Sequence, residues 1–149
     1  MRQNLEISEL NKDIKKRKLK IEYTFTSPKN IRKGSLVCQK IYKSLINKLS
    51  KNLNKYHNVN WPVRSWKVLI GPFLSRLIET IYEKWLILNN LKKNHRNIIL
   101  TGNQIANYDF SCFDFNDFTE KTHTNEWNEQ LYLYIIKNYF SLHVKKVKK

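Results

Sequence analysis

The clearest pattern in the chain runs from His57 to Leu91, where Trp66, Leu69, Ile70, Phe73, Leu74, Leu77, Ile78, Ile81, Trp85 and Leu88 recur at three- and four-residue steps. That spacing predicts one buried face of a long amphipathic helix, with Lys67, Ser75, Glu79, Glu83 and Lys84 on the other side. Gly71-Pro72 interrupts it. An interior Gly and Pro together cost about 4 kcal/mol relative to Ala, so either the helix kinks there or one helix ends near Ile70 and another starts with Pro72 in its first turn.

Upstream, Leu36, Ile41, Leu45, Leu49 and Leu53 form a second helical stripe from Ser35 to about Tyr56, widened by Cys38, Tyr42 and Ile46, with Gly34-Ser35 as its start signal. Leu5, Leu10 and Ile14 give a weaker helical pattern over 5–18, with Ser8 placed to cap. Leu19, Ile21, Tyr23 and Phe25 alternate with polar residues as a short strand closed by a turn at Ser27-Pro28. Downstream, Ile98-Ile99-Leu100-Thr101 reads as a buried strand ended by Gly102-Asn103. Residues 103–123 look irregular, with Asp114 able to open a brief helical turn. A last helix starts at Thr124 or Asn125 and repeats Trp127, Leu131, Tyr134, Ile135, Asn138 and Leu142 to about His143, leaving a frayed lysine tail.

These elements predict a mostly α chain with one or two short strands that belong to a larger α/β sheet, built around a long kinked helix. We expect one partial domain: an N-terminal segment 1–33, a helical body 34–143 and a basic tail 144–149. Three glycines, Gly34, Gly71 and Gly102, cannot write a glycine-rich phosphate loop. Cys38 and Cys112 lie far apart, and no secretory leader follows Met1, which implies the cytosolic side. The longest apolar run is too short to cross a bilayer.

The net charge of +16 changes the picture more. Most of the excess lies in residues 1–64, which suits nucleic acid or an anionic membrane surface. Nearly all of it is Lys, with only Arg2, Arg17, Arg32, Arg64, Arg76 and Arg96, whereas base and phosphate forks favour Arg. Nucleic acid is therefore disfavoured, peripheral membrane contact stays open, and a merely solvated surface is the plainest reading.

Chemistry is sparse. His57, His95, His123 and His143 have no metal-site spacing, so no metal is expected. Asp109, Asp114 and Asp117 lack the regular ligand spacing and turn glycine of a calcium loop. They are also the likeliest source of paired acid-base carboxylates, although solubility and capping explain loop acids as well. His57, Trp61, Arg64, Trp66 and Lys67 gather two cations and three aromatics near a helix start, where a phosphate or acidic sugar could sit. The structural alternative makes Trp61 and Trp66 core anchors with the cations reaching over them to water.

The stretch Leu53 to Trp85, LNKYHNVNWPVRSWKVLIGPFLSRLIETIYEKW, resembles a family of bacterial transferases associated with O-antigen and other surface-polysaccharide loci. In that family a Leu-Asn and a His precede a Ser-x-Arg-Tyr-Trp-type entry into Leu-Ile-Gly-Pro-Trp; His57, Arg64, Trp66, Leu69, Ile70, Gly71 and Pro72 match. Glu126-Trp127-Asn128 followed by Leu131-Tyr132 is similar to the family's Asp-x-Trp-Asn helix. The aromatics Trp61 and Trp85 flank the first block. Ser65 and Phe73 depart from its usual Tyr and Trp. The likeness spans roughly residues 23–140 of a family whose members are much longer.

The resemblance implies a truncated N-terminal portion of a glycosyltransferase-B-like enzyme, inactive alone. Its nucleotide-sugar donor would bind a missing C-terminal half or a split-gene partner, and no cofactor belongs to this chain. His57, Arg64 and Lys67 would position an anionic saccharide or phosphate acceptor, or a donor phosphate, in the cytoplasm or at the inner face of the membrane; no residue is assigned as catalytic. The alternative is a small basic protein that binds nucleic acid or an anionic membrane surface.

Overall fold

A computed structural model of the chain describes residues 3–10, 27–94, 98–140 and 142–145. The expected strand over Leu19–Phe25 lies outside them. The described residues form four helices and a small three-stranded parallel sheet, mostly helical and α/β-like. They fall into two compact units, residues 24–83 and a second unit made of 1–23 with 84–149.

The 24–83 unit begins with α1 (Pro28–His57). Ser27-Pro28, expected as a turn, is the helix start. The Ser27 hydroxyl accepts from Asn30 N at 3.3 Å, and Pro28, whose missing N–H costs nothing in a first turn, follows it. The helix thus opens seven residues before Ser35. Its buried line also differs from the stripe read in the sequence. Cys38 and Ile46 are buried, with Tyr42, Leu49 and Leu53 half-buried beside them, whereas Leu36, Ile41 and Leu45 are exposed. Leucine spacing alone could not separate two overlapping stripes on a helix this rich in apolar residues.

The partner of that line is α2 (Val63–Asn94), whose residues up to Glu83 belong to this unit. Trp66, Leu74 and Ile78 are buried against it, and Ile70 and Tyr82 partly so; Leu69 and Ile81 are exposed. The helix passes through Gly71-Pro72 without a break, so the two-helix alternative is wrong. Pro72 is exposed and Val68, four residues earlier, is 73% exposed, so water can take the carbonyl that loses its donor.

Gly71 has a packing reason. A Cβ there would stand 2.7 Å from Tyr42 Oη. Gly71→Ala gains about 1 kcal/mol of helix propensity but must displace the phenol. We therefore expect Gly71→Ala to be near neutral in the native sequence and to stabilise by about 1 kcal/mol in a Tyr42→Phe background. Urea midpoints of the four proteins check this, and strict additivity would refute it.

In the other unit, β2 (Ile98–Thr101) is the central strand, with β1 (Gln3–Glu6) and β3 (Val144–Lys145) parallel on either side, Leu5 opposite Leu100 and Leu100 opposite Val144. Of the helix expected over 5–18, the described residues 5–10 form instead the end of a strand and a 3₁₀ turn at Ile7–Glu9, the rest lying outside the described residues, and the helix expected to reach His143 stops at Tyr139 so that the chain can re-enter the sheet. The remaining elements are the end of α2, α3 (Phe115–His123) and α4 (Asn125–Tyr139). Asp114 caps α3 through Asp117 N and Thr124 caps α4 through Trp127 N. Ile7, Leu10, Leu88, Leu91, Leu100, Phe118, Trp127 and Tyr132 are fully buried in this unit. Lys84, expected outside, is buried instead, its Nζ 4.8 Å from the centre of the Tyr132 ring.

Candidate functional site

The residues singled out as a helix-start cluster meet at the corner between α1 and α2. α1 stops because Asn58 turns left-handed, φ 52°, ψ 45°, a conformation Asn tolerates better than most residues, and its N–H and that of Val59 return to Asn54 O. The side chain of Asn54 then holds the returning strand of chain. Its Nδ2 donates to Trp61 O at 2.9 Å, and its Oδ1 accepts from Trp61 N at 3.2 Å and from Trp66 Nε1 at 2.7 Å. One amide thereby fixes the loop, the entry to α2 and the indole of a buried tryptophan.

Around that indole the aromatics assemble. Trp61 lies 5.2 Å from Trp66 between ring centres, tilted by 39°, and the His57 imidazole stacks at 5.9 Å and 26°. Tyr56 meets His57 edge-on. Trp66 is the anchor, 5% exposed, while Trp61 keeps 46% of its surface open. Arg64 and Lys67 are exposed in the first turns of α2, three residues apart and so on neighbouring positions of one side. No acid stands in that first turn, nor anywhere from Asn54 to Lys67, so the positive end of the helix dipole is not neutralised locally.

Of the two tryptophans taken as core anchors in the structural alternative, Trp66 is one and Trp61 is not; Trp61, His57, Arg64 and Lys67 form an exposed cationic, aromatic surface. Such a corner can hold a phosphate or carboxylate by charge-assisted hydrogen bonds and can offer a flat indole to the C–H face of a sugar ring. From Asn54 to Lys67 it holds no carboxylate that could serve as a base.

The other matched residues play other parts. Gly71 makes room for Tyr42, as above. Trp85 lies 6.3 Å from the Phe140 ring, and Trp127 is buried, with Phe110 and Phe118 meeting it edge-on at 6.0 Å each. Asn128 donates through Nδ2 to Thr122 O and Thr124 O at 2.7 Å each, tying the α3–α4 corner. The loop after β2 is held by α4: Asn103 N donates to Glu129 Oε1 at 2.8 Å and Ile105 N to Gln130 Oε1 at 2.9 Å.

The loop acids are engaged in turns. Asp109 accepts from Ser111 N and Oγ, bonds that lower its pKa from the ordinary carboxylate value. Lys121 and the Phe113 amide do the same for Asp117, with Lys121 Nζ at 2.8 Å. Among the described residues no group of three His, Cys, Asp or Glu is arranged to hold a metal. A separate cleft of about 380 Å³ lies farther along α1 and α2, over Cys38, Arg76, Glu79 and Glu83. Burial raises the pKa of the Cys38 thiol, with Glu79 adding to the effect, so this cysteine is no ready nucleophile.

Sequence reasoning missed Asn54, the residue that organises the corner. A signal existed: Asn is a poor helix-interior residue that competes for backbone groups, and this one stands four positions before another Asn that ends the helix.

The sequence matches the LIC12162 family transferase over residues 4–149. No curated protein and no solved structure matches it. Among the described residues no helix is long and apolar enough to cross a membrane.

Proposed function

Since the chain belongs to the LIC12162 family of transferases, we propose that it forms the acceptor-side portion of a glycosyltransferase in surface-polysaccharide assembly. In this reading the α1–α2 corner receives an anionic saccharide. Arg64 and Lys67 hold its phosphate or carboxylate, His57 borders the site, and Trp61 takes the apolar face of the sugar. The nucleotide-sugar donor is carried by a further half of glycosyltransferase-B-like build, so the chain by itself binds but does not turn over. The supporting observation is the acid-free corner in which one side chain, Asn54, fixes both the backbone of Trp61, which carries the open indole, and, through the Trp66 indole, the start of the helix bearing the two cations. Fixing the geometry in advance lowers the ordering cost of binding.

The test is the melting temperature of the purified chain with a sugar 1-phosphate. A ligand at about ten times its Kd adds about 1.4 kcal/mol, which raises Tm by about 3–6 °C for a chain of this size. We expect that rise with the native chain and its disappearance in Arg64→Ala/Lys67→Ala, both sites being exposed. Trp61→Ala should abolish the preference for the sugar phosphate over inorganic phosphate. A rise that survives the double substitution, or no rise with any sugar phosphate, overturns the reading.

A further inference from the structure

Helix α1 carries a feature that the corner does not use. Its 30 residues include Lys29, Arg32, Lys33, Lys40, Lys43, Lys48, Lys51 and Lys55, and no acid to pair with them. At 100° per residue the seven lysines fall within an arc of about 140°, on the side away from the buried line of Cys38, Tyr42 and Ile46, and all seven are exposed. From Lys29 to Lys55 the row is about 39 Å long at 1.5 Å per residue. Like charges in such a row repel one another and weaken the helix. Leu36 lies inside the row, 52% exposed, and Ile41 and Leu45 lie beside it at 38% and 36%.

We propose that this face of α1 docks on the surface of an anionic lipid bilayer. The geometry selects the occupant. A helix face about 39 Å long can lie along a plane over its whole length, whereas a duplex curves away from such a rod beyond a groove about 12 Å wide. The chemistry agrees. With Arg32 alone at its edge, the row is lysine, a compact charge suited to a diffuse negative surface, and it is poor in the planar forks that grip individual phosphates and bases. Leu36 supplies an apolar side chain to enter the headgroup boundary, as in helices that lie in the interface plane. The contact is peripheral, and it stands whether or not the corner binds a sugar.

Sedimentation of the full chain with vesicles tests it, comparing phosphatidylcholine alone with phosphatidylcholine containing about 30% phosphatidylglycerol at about 0.1 M ionic strength. A lysine near such a surface contributes about fivefold in partition. The variant Lys33→Gln/Lys40→Gln/Lys43→Gln/Lys51→Gln should therefore lose at least about a hundredfold on the anionic vesicles. A control of equal net charge, Lys92→Gln/Lys93→Gln/Lys137→Gln/Lys145→Gln, should lose less than about tenfold; circular dichroism confirms that both are folded. Binding to the anionic vesicles alone, with loss confined to the first variant, supports the proposal. Equal losses in the two variants, no partition at all, or tighter binding to a generic DNA duplex at the same salt overturns it.

Discussion

Replacing Asn54 with Ala is expected to destabilise the 24–83 unit by about 2–4 kcal/mol and to disorder the corner together with it. Three hydrogen bonds go at once, and one of them leaves the Trp66 Nε1 donor with no partner on a residue only 5% exposed. Leaving a buried donor unsatisfied costs more than the bond contributed when made. The prediction is sharpened by a cycle. In a Trp66→Phe background that donor is absent, so Asn54→Ala should cost about 1 kcal/mol less than in the native sequence. Urea midpoints followed by far-ultraviolet circular dichroism measure all four proteins. An Asn54→Ala cost under about 1 kcal/mol would mean that water replaces the amide readily and that the corner is not held in advance.

Trp127 is the second large case, in the unit formed by 1–23 with 84–149, and it turns on a fault rather than on a bond. Its side chain is 2% exposed and its Nε1 has no hydrogen-bond partner among the described residues, while Phe110 and Phe118 approach it edge-on. Trp127→Ala should cost about 3–5 kcal/mol, through lost burial and the cavity left behind. Trp127→Phe loses volume too, but it removes a donor whose burial costs about 1–3 kcal/mol. The two should nearly cancel, keeping that variant within about 1.5 kcal/mol of the native protein. Thermal unfolding of both variants decides it; a Phe variant as unstable as the Ala variant would show that the indole N–H contributes stability after all.

How much of this was legible in the sequence differs by element, and the reasons are physical. The strand Ile98–Thr101 and the start of α4 at Thr124 could be read because each has a local cause: an apolar run closed by Gly-Asn, and a hydroxyl that caps. The start of α1 was read seven residues late. Ser27-Pro28 serves equally as a turn and as a helix cap, and nothing local decides between them. Leu5 and Leu10 mimic a helix, but Leu5 belongs to a strand whose partner lies 95 residues away, a pairing that no local window contains. The tryptophans and cations of the corner were found as a cluster because they are neighbours in sequence. Their arrangement was not, because it depends on Asn54 reaching over a five-residue loop, which side-chain identity alone does not announce. Lys84 was placed outside on charge, and its long stem and the Tyr132 ring put it inside.

The sheet carries a consequence for the order in which the chain acquires its structure. β1 precedes its partner β2 by 95 residues, and β2 in turn pairs with β3 at residues 144–145. During synthesis residues 3–6 must therefore wait, without their eventual neighbours, until residues 98–101 have emerged, while α1 and the adjoining turns of α2 need no more than a contiguous stretch and can associate earlier. A nascent chain whose residues up to 94 have emerged thus holds its helical hairpin while β1 still lacks β2.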